Sequence, residues 1–140
     1  GPDDWFLLGT DLVKDRGVLE AAYNDAAGVT AEFNRNALLH LNRLFGADFR
    51  PDLFDHAAIW NAADAQIEMY LTARQAQHVR IPALELEVHV ADGEAICTEI
   101  SRKFTRPVVT SLLAASGFAL EDWLTPADGA FALSLARRTV

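Results

Sequence analysis

A change of hydrophobic period part-way along the chain constrains its fold more than any other feature. From Arg16 to Asn24, and again from about Val29 to Phe45, apolar residues recur at helical spacing: Val18, Leu19 and Ala22, then Phe33, Ala37, Leu38, Leu41 and Leu44. Thr30 is a candidate cap for the second helix and Gly46 its stop, with Ala47–Pro51 as a loop. Beyond that loop the period becomes two. Alternation runs through Phe54–Asn61, Ala65–Ala73, Gln77–Ile81 and Glu94–Lys103, and through Leu84, Leu86, Val88 and Val90 with Glu85, Glu87 and His89 opposite. Alternate side chains of a strand share a face. The stretch therefore specifies a mainly antiparallel sheet, one face on a core and the other toward water or a ligand. Asn61–Asp64, Pro82-Ala83 and Asp92-Gly93 supply the turns.

The ends read differently. Trp5-Phe6-Leu7-Leu8-Gly9 is an apolar run that suits a buried strand of a parallel sheet. Thr10 and Asp11 then lie at its carboxyl end, where open α/β sheets bind ligands. Pro107–Ser116 reads as a helix with Thr105 as cap, Pro107 in the first turn and Gly117 as stop. Ala119–Leu124 and Ala130–Ala136 flank Pro126–Gly129 as a β-hairpin. Gly1-Pro2 reads as the scar of tag removal and takes no part in the fold argument.

Composition removes several function classes. With 140 residues, 51% hydrophobic and 23% charged, the chain suits one compact domain. A net charge of -8 with scattered basic residues argues against a nucleic-acid surface. Its adjacent basic pairs, Arg102-Lys103 and Arg137-Arg138, read as a solvated strand and a solvated terminus. The single cysteine, Cys97, excludes an intrachain disulfide and fits a reducing compartment, so cytoplasm is the expectation. No apolar run approaches the length of a membrane span. His40, His56, His78 and His89 lack metal-ligand spacing, and His56 and His89 read as residues of a strand face. No glycine-flanked serine sits on a strand-to-helix turn, so a hydrolase reading lacks its nucleophile.

The chemistry concentrates in Ile96–Phe104 and in Gln66-Ile67-Glu68-Met69-Tyr70-Leu71. In a regular strand Glu99 and Ser101 point the same way beside Cys97, while Thr98 and Ile100 point the other way. A carboxylate accepts and a hydroxyl donates or accepts, so the pair can hold both nitrogens of an imidazole. Taken alone, each residue also has a plainer reading: Glu99 as a solvated glutamate, Met69 between Ile67 and Leu71 as a core methionine, and Tyr23 as a half-buried tyrosine.

These segments resemble the SAM-dependent histidine Nα-methyltransferases of ergothioneine biosynthesis, whose C-terminal half carries a pattern close to IEM-L followed by TE-S-KF. Gly9-Thr10-Asp11-Leu12-Val13-Lys14-Asp15, Ala22-Tyr23-Asn24-Asp25, Gly28-Val29-Thr30-Ala31-Glu32-Phe33-Asn34 and Ala115-Ser116-Gly117-Phe118 look like the same family in the same order, over nearly the whole chain. The resemblance implies an α/β enzyme, α+β as an isolated fragment. Residues 3–15 would be a late strand of an incomplete Rossmann-like methyltransferase domain, 16–104 the substrate-binding region, and 105–140 the C-terminal helix and β-hairpin of the methyltransferase domain. It further implies that Glu99 and Ser101 hold the substrate imidazole, that Met69 lies against that ring, and that the Tyr23 hydroxyl binds the α-carboxylate. Thr30 and Phe33 match positions near the same pocket. None of these residues would bond covalently.

The implied reaction is repeated methyl transfer from S-adenosyl-L-methionine to the α-amine of L-histidine, giving hercynine. A strand followed by a glycine-rich turn, the expected cofactor approach, is not found in the sequence. The expectation is therefore the C-terminal portion of a longer enzyme, binding no cofactor and inactive alone. Its partners would be L-histidine and its methylated forms, together with the missing SAM-binding portion or further copies of itself, because unpaired sheet edges recruit other chains. Two alternatives stay open: a non-catalytic histidine- or betaine-binding module, and an N-methyltransferase acting on another aromatic amino acid.

Overall fold

The computed structural model describes residues 4–139, so the Gly1-Pro2 reading lies outside the described residues. The elements are β1 (Trp5–Asp11), α1 (Arg16–Tyr23), α2 (Val29–Phe45), β2 (Phe54–Asn61), β3 (Gln66–Ala73), β4 (Gln77–Ile81), β5 (Leu86–Val90), β6 (Ala95–Arg102), α3 (Arg106–Ala115), β7 (Phe118–Leu124) and β8 (Phe131–Arg138), with short 3-10 turns at Pro51–Leu53 and Pro82–Leu84. The architecture is α+β with antiparallel sheets. Two compact units share the chain: one takes Arg16–Asn61 and Gln66–Ser101, the other the segment up to Asp15, Ala62–Ala65 and the chain from Arg102 onward.

The first of these units is built on a sheet of order β2-β3-β6 and a β4-β5 hairpin. β2 and β3 pair antiparallel from Phe54↔Ala73 to Asn61↔Gln66. Alternation along β3 sends Ile67, Met69, Leu71 and Ala73 into the core, each at most 2% exposed. Leu38 of α2 packs with Phe49, Phe54, Leu71 and the hairpin residues Val79, Ile81 and Val90. Leu19 of α1 packs with Ala58, Ile67 and Met69. α2 begins as its sequence suggests but is capped by a different residue. Gly28 takes the cap position in a left-handed conformation, and the Asp25 carboxylate accepts the Val29 and Thr30 amides at 2.9 and 2.8 Å. Thr30 is therefore inside the helix, its cap role taken by an acidic side chain that meets the exposed amides and the positive end of the helix dipole.

In the second unit α3 covers one face of a sheet of order β1-β8-β7, through Val109, Leu113 and Ala136 with Leu8, Phe118, Leu120 and Trp123 around them. β1 departs from its sequence reading. It pairs antiparallel with β8, Trp5↔Arg137 through Asp11↔Phe131, and Trp5, Phe6 and Leu7 are 54%, 43% and 61% exposed. Among the described residues β1 is an edge strand whose second edge is engaged only at its carboxyl end, where the Asp11 carbonyl accepts the Phe104 amide at 2.9 Å. The parallel component is a single bridge, Leu12↔Phe104. An apolar run fixes that a strand forms; the direction of its partner is set by β8, far along the chain. Lys103 corrects the solvated reading of Arg102-Lys103, since its side chain is 1% exposed and its Nζ lies 2.9 Å from Asp11 Oδ2. Burial pushes the Asp11 carboxyl up, but hydrogen bonds from Lys14 and Lys103, with their charges, hold it below its ordinary value. Among the described residues no helix is long and apolar enough to cross a membrane.

Candidate functional site

Tyr23 ends α1, and three contacts set its position. Glu20 one turn earlier accepts the Trp60 amide at 3.0 Å. The Asn24 carboxamide behaves like a strand residue, donating to the Ala58 carbonyl and accepting from the Ala58 amide, both at 2.9 Å. His56 on β2 places Nε2 2.8 Å from the Tyr23 carbonyl. The side chain packs on the cluster of Leu19, Ala58, Ile67 and Met69, and its hydroxyl lies 2.8 Å from Ser101 Oγ on β6.

Phe33, Asn34, Asn36, Ala37 and His40 of α2 and Thr98 and Glu99 of β6 line an open cleft of about 360 Å³, whose lining includes neither Tyr23 nor Ser101. Phe33 is 63% exposed. Glu99 is exposed, and among the described residues its carboxylate has no hydrogen-bond or ion-pair partner. The structure thus joins Tyr23 to Ser101, places Phe33 and Glu99 on one cleft, and sets Met69 in the core beneath Tyr23, at 2% exposure. Thr30 stands apart from the cleft lining, engaged with Asp25 at the start of α2.

β6 does not alternate strictly. Cys97 approaches Tyr70, on the face of β3 opposite Met69. Thr98 turns the other way, its hydroxyl shared between Asn34 Oδ1 of α2 and the Met69 carbonyl. Ser101, three residues later, again reaches the helical side through Tyr23. Residues three apart in a regular strand lie on opposite faces, so the alternation is interrupted between Thr98 and Ser101. Thr98 and Ser101 share the inner side, and Ile100 is 56% exposed. This corrects the expected grouping of Ser101 with Cys97 on one face and Thr98 on the other. His56 is corrected too: it is half-buried with both ring nitrogens bonded, where a strand-face residue was expected.

Asn34, His56 and Thr98 were not singled out by sequence. The available signal was a polar residue on an apolar stripe, since Asn34 and Leu38 are one helical turn apart and both are 2% exposed. On the other face of β3, Glu68 accepts from Tyr70, Asn61 and Gln66 at 2.6, 2.8 and 2.7 Å. Those bonds hold its carboxyl low and, with burial, push the Tyr70 phenol up to about 12.

Against families of known proteins, residues 1–138 match the model described as histidine-specific methyltransferase, SAM-dependent. The chain belongs to this family. It is 55% identical over 137 residues to the histidine N-alpha-methyltransferase of Mycolicibacterium smegmatis and 50% identical to that of Mycobacterium tuberculosis. Each match covers 98% of this chain and 43% of the relative. A shorter match, 41% over 46 residues, covers 33% of this chain and 5% of the Neurospora crassa ergothioneine biosynthesis protein 1. The chain therefore spans less than half the length of the two bacterial methyltransferases, in their C-terminal part.

The cofactor in the family's description can be tested against the residues present. After β1 the connection Leu12-Val13-Lys14-Asp15 leads into α1 without a glycine, and the Asp11 carboxylate at the strand's end is engaged by Lys14 and Lys103. A methyltransferase cofactor is expected to need a glycine-rich approach and an acidic group for its ribose hydroxyls. This strand end fits neither requirement. Among the described residues there is also no group of three or more His, Cys, Asp or Glu placed to hold a metal.

Proposed function

We propose that this chain is the histidine-holding part of an S-adenosyl-L-methionine-dependent histidine Nα-methyltransferase that trimethylates the α-amine to hercynine, on the route to ergothioneine. The observation that carries the reading is the hydroxyl pair that Tyr23 of α1 makes at 2.8 Å with Ser101, two residues along β6 from Glu99, whose carboxylate has no partner among the described residues. In a neutral imidazole one nitrogen donates and the other accepts. Glu99 takes the N–H and Ser101 donates to the second nitrogen, which frees the Tyr23 hydroxyl to donate to the substrate. A hydrogen bond to a charged partner contributes about 1.5–3 kcal/mol, enough to prefer histidine over an indole side chain that would leave the carboxylate unpaired. Tyr23 presents its hydroxyl toward the α-carboxylate, Met69 supports Tyr23 from below, and Phe33 closes one side of the ring. Thr30 contributes by fixing the first turn of α2.

The β1-β8-β7 sheet with α3 is read as the end of an incomplete Rossmann-like domain. Its exposed apolar strand, with a second edge engaged only at its carboxyl end among the described residues, favours this, as does the poor fit of the β1 end to the cofactor. The cofactor's contacts then come from residues outside this chain, and the chain alone produces no methylated histidine. Mass spectrometry of the purified chain incubated with S-adenosyl-L-methionine and L-histidine checks this, and any methylhistidine overturns it. Calorimetric titration checks the pocket itself: L-histidine binds and Glu99→Ala abolishes binding, whereas binding unchanged in Glu99→Ala removes the carboxylate from the account.

A further inference from the structure

Asn34 is 2% exposed, and its carboxamide meets three polar groups. Nδ2 lies 3.2 Å from the Tyr70 carbonyl and 2.9 Å from His56 Nδ1, while Oδ1 receives the Thr98 hydroxyl. A backbone carbonyl only accepts. The Tyr70 carbonyl therefore fixes which end of the amide carries hydrogen, and the second amide hydrogen goes to His56 Nδ1. His56 must then carry its own proton on Nε2, which suits the Tyr23 carbonyl 2.8 Å away, another group that only accepts. Two carbonyls thus dictate one amide orientation and one imidazole tautomer. At the other end, Thr98 immediately precedes Glu99.

We propose that Asn34 is the positioning residue of the histidine pocket, one carboxamide holding Tyr23 through the His56 ring and the Thr98–Glu99 stretch directly. The inference rests on the histidine reading of the site. Buried polar networks specify geometry when every member is satisfied, and removing one member leaves the others unpaired. Asn34 thus sets the separation between the hydroxyl that meets the substrate carboxylate and the carboxylate that meets its ring.

The test uses the whole chain. Nitrogen-15 shifts of the His56 ring are expected to show the proton on Nε2 and a bare Nδ1. Asn34→Ala is expected to move the amide signals of Tyr23 and of Thr98 and Glu99 together, and to weaken L-histidine about tenfold or more, the size expected when a buried polar group loses its partner. Asn34→Asp keeps the shape and the acceptor for Thr98 but cannot donate, so His56 gains a proton at Nδ1. Asn42 lies on the same helix and is bonded to Phe49 outside this network; Asn42→Ala lowers the melting temperature and leaves L-histidine affinity unchanged. A proton on Nδ1 in the unmodified chain, signal changes confined to one side, or an equal loss of affinity in Asn42→Ala overturns the proposal. Failure of the unmodified chain to bind L-histidine overturns the functional reading instead, and the positioning role is then decided by the tautomer and the paired signals.

Discussion

At the scale of single residues, the clearest electrostatic feature is Asp25. Its carboxylate accepts the Thr30 hydroxyl and the Thr30 and Val29 amides, which pull it from 3.8 down to about 2. The folded value lies below the unfolded one, so the stabilisation is complete above about pH 4 and is lost as pH falls through about 2. Asp25→Ala should lower the melting temperature at pH 7, and circular dichroism melts of the two proteins should converge as pH falls toward 2. A gap that persists there would assign the effect to something other than the charged cap. Sequence alone marked Thr30 for this role because it scored the hydroxyl and passed over the acidic residue before Gly28. Asn34 and Thr98 were missed for a related reason. Strict alternation along β6 assigned Thr98 and Ile100 to one face, and only coordinates show the interruption that turns both Thr98 and Ser101 inward.

At the scale of elements, local cues account for what was legible. α2 runs from Val29 to Phe45, as its period and its terminal glycine indicated, and the alternating stretches became β2 to β6 within a residue or two at most ends. Gly46 ends α2 at φ 66, and a Cβ there would meet nothing closer than Pro82 Cδ at 4.0 Å. Space is available, so the strain of a substitution is in the backbone alone. Gly46→Ala should therefore cost about 1 kcal/mol, the usual penalty of a left-handed conformation for a residue with a Cβ, read from urea denaturation. A neutral outcome would mean the helix end relaxes. β1 was the element least legible, because Trp-Phe-Leu-Leu specifies an extended apolar segment without naming a partner. Its neighbour β8 begins at Phe131, and an antiparallel pairing over that separation leaves no local trace.

At the scale of the whole molecule, what is uncovered matters as much as what is packed. Among the described residues the second edge of β1 is engaged only at its carboxyl end, with Trp5 and Leu7 exposed along the rest, and exposed apolar edges pair with other chains. Light scattering should show a mass that rises with concentration, and Leu7→Lys should return it to that of one chain; a concentration-independent monomer from the unmodified protein would count against this. The family assignment holds over residues 1–138 regardless of that outcome. The account of what the chain holds is tested most directly by a crystal structure grown with L-histidine. It should show one ring nitrogen within hydrogen-bond distance of the Glu99 carboxylate and the other at Ser101 Oγ, with Tyr23 turned to the α-carboxylate. A histidine bound elsewhere, with Glu99 left to solvent, would contradict it.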